Sequence, residues 1–216
     1  MRKSLLITIT LVSNAVCFAQ NIDKIINAAE VDRIERILSA DDMQGRKTFT
    51  PGIDKAADFI ASEFAKSKLR FFGNAKSYFQ EFAMTKSKPV EVKGMIDNEP
   101  LTTDNIAVNT TAAEVNINSL KDYEVVTLKA TDTFNKVIFP LFEAEKNVLI
   151  LVDTAHTRRF RSMQRFSTNA KFPSNVTQVL ILTTNMNPSS FNPHVKHEQT
   201  LQALKNVLGV IPGKSK

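Results

Sequence analysis

The chain has 216 residues, 28 Lys+Arg against 22 Asp+Glu, one cysteine, six glycines, no tryptophan and 43% hydrophobic residues. That balance excludes a disordered chain, a collagen-like repeat and a disulfide scaffold. The net charge of +6 is a mild basic excess, and the +4 that remains once a leader over 1–19 is removed is too small to point to nucleic acid as a partner.

Arg2 and Lys3 form a positive head, residues 5–12 are apolar apart from threonines, and Cys17-Phe18-Ala19 places small residues three and one before a cut. This is the layout of a secretory signal peptide over 1–19, so the expected location is periplasmic or extracellular. The apolar stretch falls short of the roughly twenty residues that span a bilayer, and no membrane attachment is expected after cleavage. Val16 is larger than the residue that usually precedes a lipidated cysteine, which argues against a lipoprotein. Cleavage after Ala19 removes Arg2, Lys3 and the only cysteine, lowering the positive excess from six to four. A chain without thiols has no cysteine nucleophile and no cysteine-based zinc or iron–sulfur site.

Over 22–38, Ile22, Ile25, Ile26, Ala29, Ile34, Ile37 and Leu38 recur at helical spacing, with charged residues between them, so one or two amphipathic helices are predicted. Ser39, with Asp42 three residues on, suits a capped turn that Gly45 ends. Thr50-Pro51 then opens a second helix whose stripe is Ile53, Ala56, Ala57, Ile60 and Phe64.

After Lys68 strand-like runs dominate: 78–82, 123–130, the apolar 137–142 around Pro140, and the unbroken 148–152 ending at Asp153. Pro89, Gly94 and Pro100 punctuate the first part. A run without alternation predicts a strand buried on both faces. The run 179–182 repeats the pattern, and between the two Phe160, Met163 and Phe166 are spaced as the buried stripe of a helix, making a βαβ unit. The last segment, 206–213, reads as another buried strand; its partner is expected later in sequence, within a larger protein.

Three histidines carry the candidate chemistry. His194 and His197 would share a helix face and could hold a metal if a carboxylate joined them, but Pro193 and polar neighbours favour a solvated loop or edge strand, where that spacing separates the rings. His156 lies past the carboxyl end of a buried strand, where α/β proteins keep ligands, yet no nucleophile elbow, P-loop, dinucleotide or HExxH motif accompanies it. A hydrogen-bonded loop histidine is the expected role. Arg158, Arg159, Arg161 and Arg165, with Lys171 beyond, form the densest positive patch and read as the solvated side of a helix.

The stretch Val31-Asp32-Arg33-Ile34-Glu35-Arg36-Ile37-Leu38-Ser39-Ala40-Asp41-Asp42-Met43-Gln44-Gly45-Arg46 resembles the amino-terminal region of secreted bacterial zinc aminopeptidases, of the co-catalytic zinc exopeptidase family that includes glutamate carboxypeptidase. The resemblance continues through Thr50-Pro51-Gly52, Ala56-Ala57-Asp58-Phe59-Ile60 and Tyr78-Phe79-Gln80-Glu81-Phe82, and returns at Asn206-Val207-Leu208-Gly209-Val210-Ile211-Pro212-Gly213. Between them, the strands at 146–153 and 178–182 are similar to a protease-associated insert. Phe49 and Lys68 depart from the pattern, standing where glycines are frequent.

The resemblance implies an α+β or α/β fold: a signal peptide over 1–19, a helical lead-in over 20–85, a strand-rich protease-associated-like insert over 86–205, and over 206–216 the first strand of an absent catalytic α/β domain. It implies release of amino-terminal residues from peptides by two zinc ions sharing a water, with a glutamate as base. The family's ligands begin with a His-x-Asp motif that this sequence does not contain, so no catalytic or metal-binding role passes to any residue here. The chain itself is expected to bind no zinc and to be inactive alone. Its expected partners are the catalytic domain and, through it, peptides. The alternatives are a free-standing periplasmic binding module, or a different enzyme in which His156, His194 and His197 converge with carboxylates.

Overall fold

The computed structural model describes residues 27–213. The expected signal peptide, together with Ile22, Ile25 and Ile26, lies outside the described residues. The fold is α+β, with helices first and a strand-rich portion after them. The chain divides into two compact units, 1–63 and 64–216.

In the first unit, α1 (Ala28–Leu38) starts where the Asn27 side chain accepts from the Glu30 N–H at 2.8 Å. Arg33 joins it to the next helix, donating to Glu30 and to Glu63 at 2.6 Å each and lying 5.8 Å from the centre of the Phe59 ring. A 3-10 turn (Asp41–Arg46) follows. Ser39 does not cap this turn as expected. It ends α1 instead, donating its N–H to the Glu35 carbonyl, and Ala40 stands at the cap position without a side-chain bond. Asp42 is drawn to Lys55 at 3.1 Å rather than back to the turn. Gly45 closes the turn at φ 63, the left-handed region that glycine tolerates. Helix α2 (Pro51–Lys66) then begins at its proline, and Gly52 is fixed by packing: a Cβ there would lie 2.0 Å from the Met43 carbonyl oxygen.

The second unit is built on a long antiparallel ribbon. β1 (Phe79–Lys93) pairs with β9 (His194–Val207) from Phe79↔Val207 to Lys93↔His194. Everything between these strands is an insertion at the ribbon's far end. Pro89 was expected to interrupt the chain, but the strand continues through it. Having no N–H to offer, Pro89 is followed by a bulge that leaves Val90 unpaired and 58% exposed. Short strands β2 (Met95–Ile96) and β3 (Glu99–Pro100) form a hairpin whose Asp97, at φ 46, accepts from the backbone N–H groups of Ser189 and Ser190 and from the Asn185 amide. The Ser190 N–H first, and then the Ser189 hydroxyl, hold the Asp97 carboxyl below its ordinary range.

The centre of the insertion is a four-stranded sheet, in the order β4 (Ile106–Asn109), β8 (Gln178–Thr183), β7 (Val148–Asp153), β6 (Glu124–Leu128). β6, β7 and β8 are parallel and β4 antiparallel. Two crossovers connect the parallel strands, α3 (Phe134–Glu143) and α4 (Thr157–Ser167). The second is the expected βαβ unit. The first corrects the sequence reading, since 137–142 is helix and not strand. Phe134 and Ile138 are buried one helical repeat apart, with Val137 and Leu141 packing beside them, and that burial outweighs the helix-breaking Pro140, which sits on the exposed side.

Both faces of the sheet are covered, which is why β7 shows no alternation. Val148, Ile150 and Val152 pack with Phe134, Ile138, Phe160 and Met163 beneath the helices. Leu149 and Leu151 face Ile96, Leu101, Val115, Ile117 and Val195 from the ribbon's far end. Phe166, expected in the buried helical stripe, is 50% exposed and rests against Phe142 at a ring separation of 6.0 Å. It lies at the last turn of α4.

The carboxyl-terminal segment is also corrected. The strand ends at Val207, after which a single bridge pairs Val210 with Arg70, and Ile211 is 80% exposed. The bridge brings 208–210 back beside 64–78. Leu208 donates to the Tyr78 carbonyl at 2.8 Å, and a Cβ on Gly209 would meet the Leu69 and Phe64 side chains at 2.8 Å. The insertion therefore leaves the unit where it entered.

Candidate functional site

The three histidines do not converge. His156 follows β7, its ring 5.7 Å from Phe134, with Nε2 at 2.9 Å from the Lys129 carbonyl. That bond ties the loop after β6 to the loop after β7, a structural role. Asp153 beside it accepts from the Ala155 N–H at 2.8 Å and so shapes the turn.

Of the two settings expected for them, a solvated loop or an edge strand, His194 and His197 lie on a strand, β9. Residues 194–196 are paired on both sides, by β1 and by β5 (Glu114–Asn116). The odd spacing separates the rings as a strand requires: His194 reaches the Glu114 carboxylate, whereas His197 is buried. Among the described residues no group of three or more His, Cys, Asp or Glu side chains is placed to hold a metal ion.

His197 belongs to a buried polar seam. Ser87 and Pro89 of β1 share its face of the ribbon, since Pro89 is its cross-strand partner and Ser87 lies two residues along. From the sheet side come Ser167, the last residue of α4, and Lys171 beyond it. Lys171 is anchored twice: its backbone exchanges two hydrogen bonds with Thr85 at 2.8 and 3.0 Å, and its ammonium donates to the Ser167 carbonyl at 2.6 Å. Burial lowers the Lys171 ammonium to about 8. Burial, and then the charge of Lys171, lower the His197 imidazole below its ordinary value. The hydroxyls of Ser87 and Ser167 and both ring nitrogens of His197 are buried without a protein partner. Among the described residues no Ser–His hydrogen bond forms in this seam.

One end of the seam opens into a pocket of about 340 Å³, within the size range of small-molecule sites. Pro89 of β1 and Ala107 on the α4 face of β4 give it an apolar floor beside the β4 backbone at Ile106 and Val108, and Arg165, Ser167 and Thr168 close it from the end of α4. Gln164 braces the wall, donating from its amide to the Thr103 and Ile106 carbonyls at 2.8 and 3.1 Å. The arginine patch is divided by this arrangement. Arg159 is held on Asn135 at 3.1 Å and Arg158 and Arg161 lie on the exposed side of α4, whereas Arg165 turns back toward Ser162 at 3.2 Å and lines the pocket.

The sequence reading singled out the arginines but not Ser87, Ser167 or the pocket. The signal was hidden because the contributing residues come from β1, β4 and α4, far apart in the chain, with no motif spacing. Comparisons with models of protein families, with curated proteins and with solved structures find no match.

Proposed function

We propose that this chain is the non-catalytic amino-terminal portion of a secreted zinc-dependent aminopeptidase, with residues 86–205 as a protease-associated-like insert. The observation that carries the reading is the ribbon's topology. β1 and β9 hold the insertion at one end, and the Arg70–Val210 bridge returns the chain to its entry point at the other. This arrangement lets a module be inserted into a domain without disturbing the strands on either side.

The ribbon's base also presents apolar surface, with Phe71, Phe72 and Ile211 exposed. A catalytic domain continuing from this end would cover it and would supply the zinc ligands, the zinc pair activating water for peptide hydrolysis. Peptides are then partners of that domain. Export fits the signal-like first nineteen residues.

The test is an assay of the purified 216-residue chain on amino-acyl chromogenic substrates with added zinc. No turnover is expected. Zinc-dependent turnover abolished by a chelator overturns the reading, and so does a coding sequence lacking a His-x-Asp motif within about twenty-five residues beyond Lys216, where the metal would need its first ligands.

A second reading, a free-standing periplasmic binding module, is favoured by the pocket at the end of α4. It requires the ribbon's base to be self-sufficient, so a chain that is soluble and binds no hydrophobic dye supports it over the first.

A further inference from the structure

We propose that the pocket between β1, β4 and the last turn of α4 binds a small organic carboxylate with an apolar body. The inference is independent of the aminopeptidase reading.

Three observations carry it. The first is charge: the ionisable residues lining the pocket are Lys88 and Arg165, both basic, with no acid among the lining residues. The second is the unused hydroxyl of Ser167, 3% exposed and without a hydrogen-bond partner, on the pocket wall. A buried hydroxyl left unpaired is destabilising, and an acceptor oxygen entering the pocket would remove that cost. The third is the floor. Pro89 of β1 and Ala107, which lies on the α4 face of β4, line this end with apolar groups, so it rewards an apolar group and not a hydrated ion.

Together these features select the ligand's shape. An oxyanion would lie against the Arg165 guanidinium and the Ser167 hydroxyl, where a planar carboxylate suits the guanidinium's fork. A short hydrocarbon would lie over β4. Inorganic phosphate satisfies the first half and leaves the floor uncovered; a neutral amide satisfies the floor and forfeits the charge. A metal ion finds no anionic ligand in the pocket.

Titration calorimetry of the full chain with hexanoate, hexanamide, acetate and inorganic phosphate tests this. Hexanoate should bind at least roughly tenfold more tightly than each of the others, the size of one charge-assisted contact or a few buried methylenes. Arg165→Gln should weaken hexanoate by roughly tenfold. Ser167→Ala should weaken it severalfold while leaving the melting temperature unchanged or higher, because it deletes an unpaired buried hydroxyl. That combination separates a ligand-binding serine from a merely structural one, and it keeps the test open if the Arg165 variant does not fold. Failure of hexanoate to bind at roughly 10 mM, equal binding of hexanamide, or hexanoate binding unchanged in the Ser167 variant overturns the proposal.

Discussion

Lys171 shows what a single side chain costs the fold. Its ammonium, lowered by burial to about 8, serves the last carbonyl of α4, and its charge adds to the burial that lowers the His197 imidazole. An unfolded lysine titrates near 10.4. Below about pH 8 both states carry the proton and the folded protein bears the full burial penalty; between 8 and 10.4 the native state gives up its proton first, and above that range the penalty is gone. Stability contributed at this site therefore rises with pH across that window. Lys171→Met should be more stable than the parent at pH 7, and the difference should shrink toward pH 10, read from urea midpoints at the two values. A gain that is the same at both pH values would mean that packing, and not charge, sets the effect. The lysine was legible in the sequence only as a surface charge, because Thr85 of β1, the residue its backbone pairs with, lies 86 residues before it in the chain.

At the scale of elements, what could be read in advance followed how each segment advertises its burial. β7 and β8 announced themselves as unbroken aliphatic runs because both faces of the sheet are covered. α3 did not, because Pro140 lies inside an apolar run short enough to pass for a strand. The ribbon was legible at its base, in 78–82 and at the start of 206–213, but not along its length: residues such as Lys86, Lys88, Glu198 and Gln199 give it no clean alternation, and its length comes from pairing instead of from a buried face. The pocket could not be read at all, since Ser167 becomes notable only when its burial is known. Pro140 offers a direct test. It sits on the exposed side of α3, where alanine would restore a backbone donor and remove the ring's clash with the preceding turn. Pro140→Ala should stabilise the protein by about 1–3 kcal/mol in chemical denaturation, with helical circular dichroism unchanged or slightly raised. A destabilised variant would show that the native backbone of α3 is bent around the proline in a way its packing requires.

For the second unit as a whole, the organising fact is that an α/β sheet with its own two-sided core hangs from a pair of strands, while the chain's entry and exit are pinned together at Arg70 and Val210. The core of the insertion draws its covering residues from within itself and from the far end of the ribbon, Val195 included. The same arrangement has a mechanical meaning. Tyr78 and Leu208 emerge side by side, linked by one backbone hydrogen bond, so tension applied between them loads the ladder one rung at a time instead of shearing all its bonds together. Force spectroscopy with handles at these two residues should show a low-force unzipping from Phe79↔Val207 toward Lys93↔His194, followed by a separate, higher event as the sheet gives way. A single cooperative rupture would mean that ribbon and sheet yield as one body. In the stepwise case the ribbon works as a fuse, giving way under strain before the module it carries.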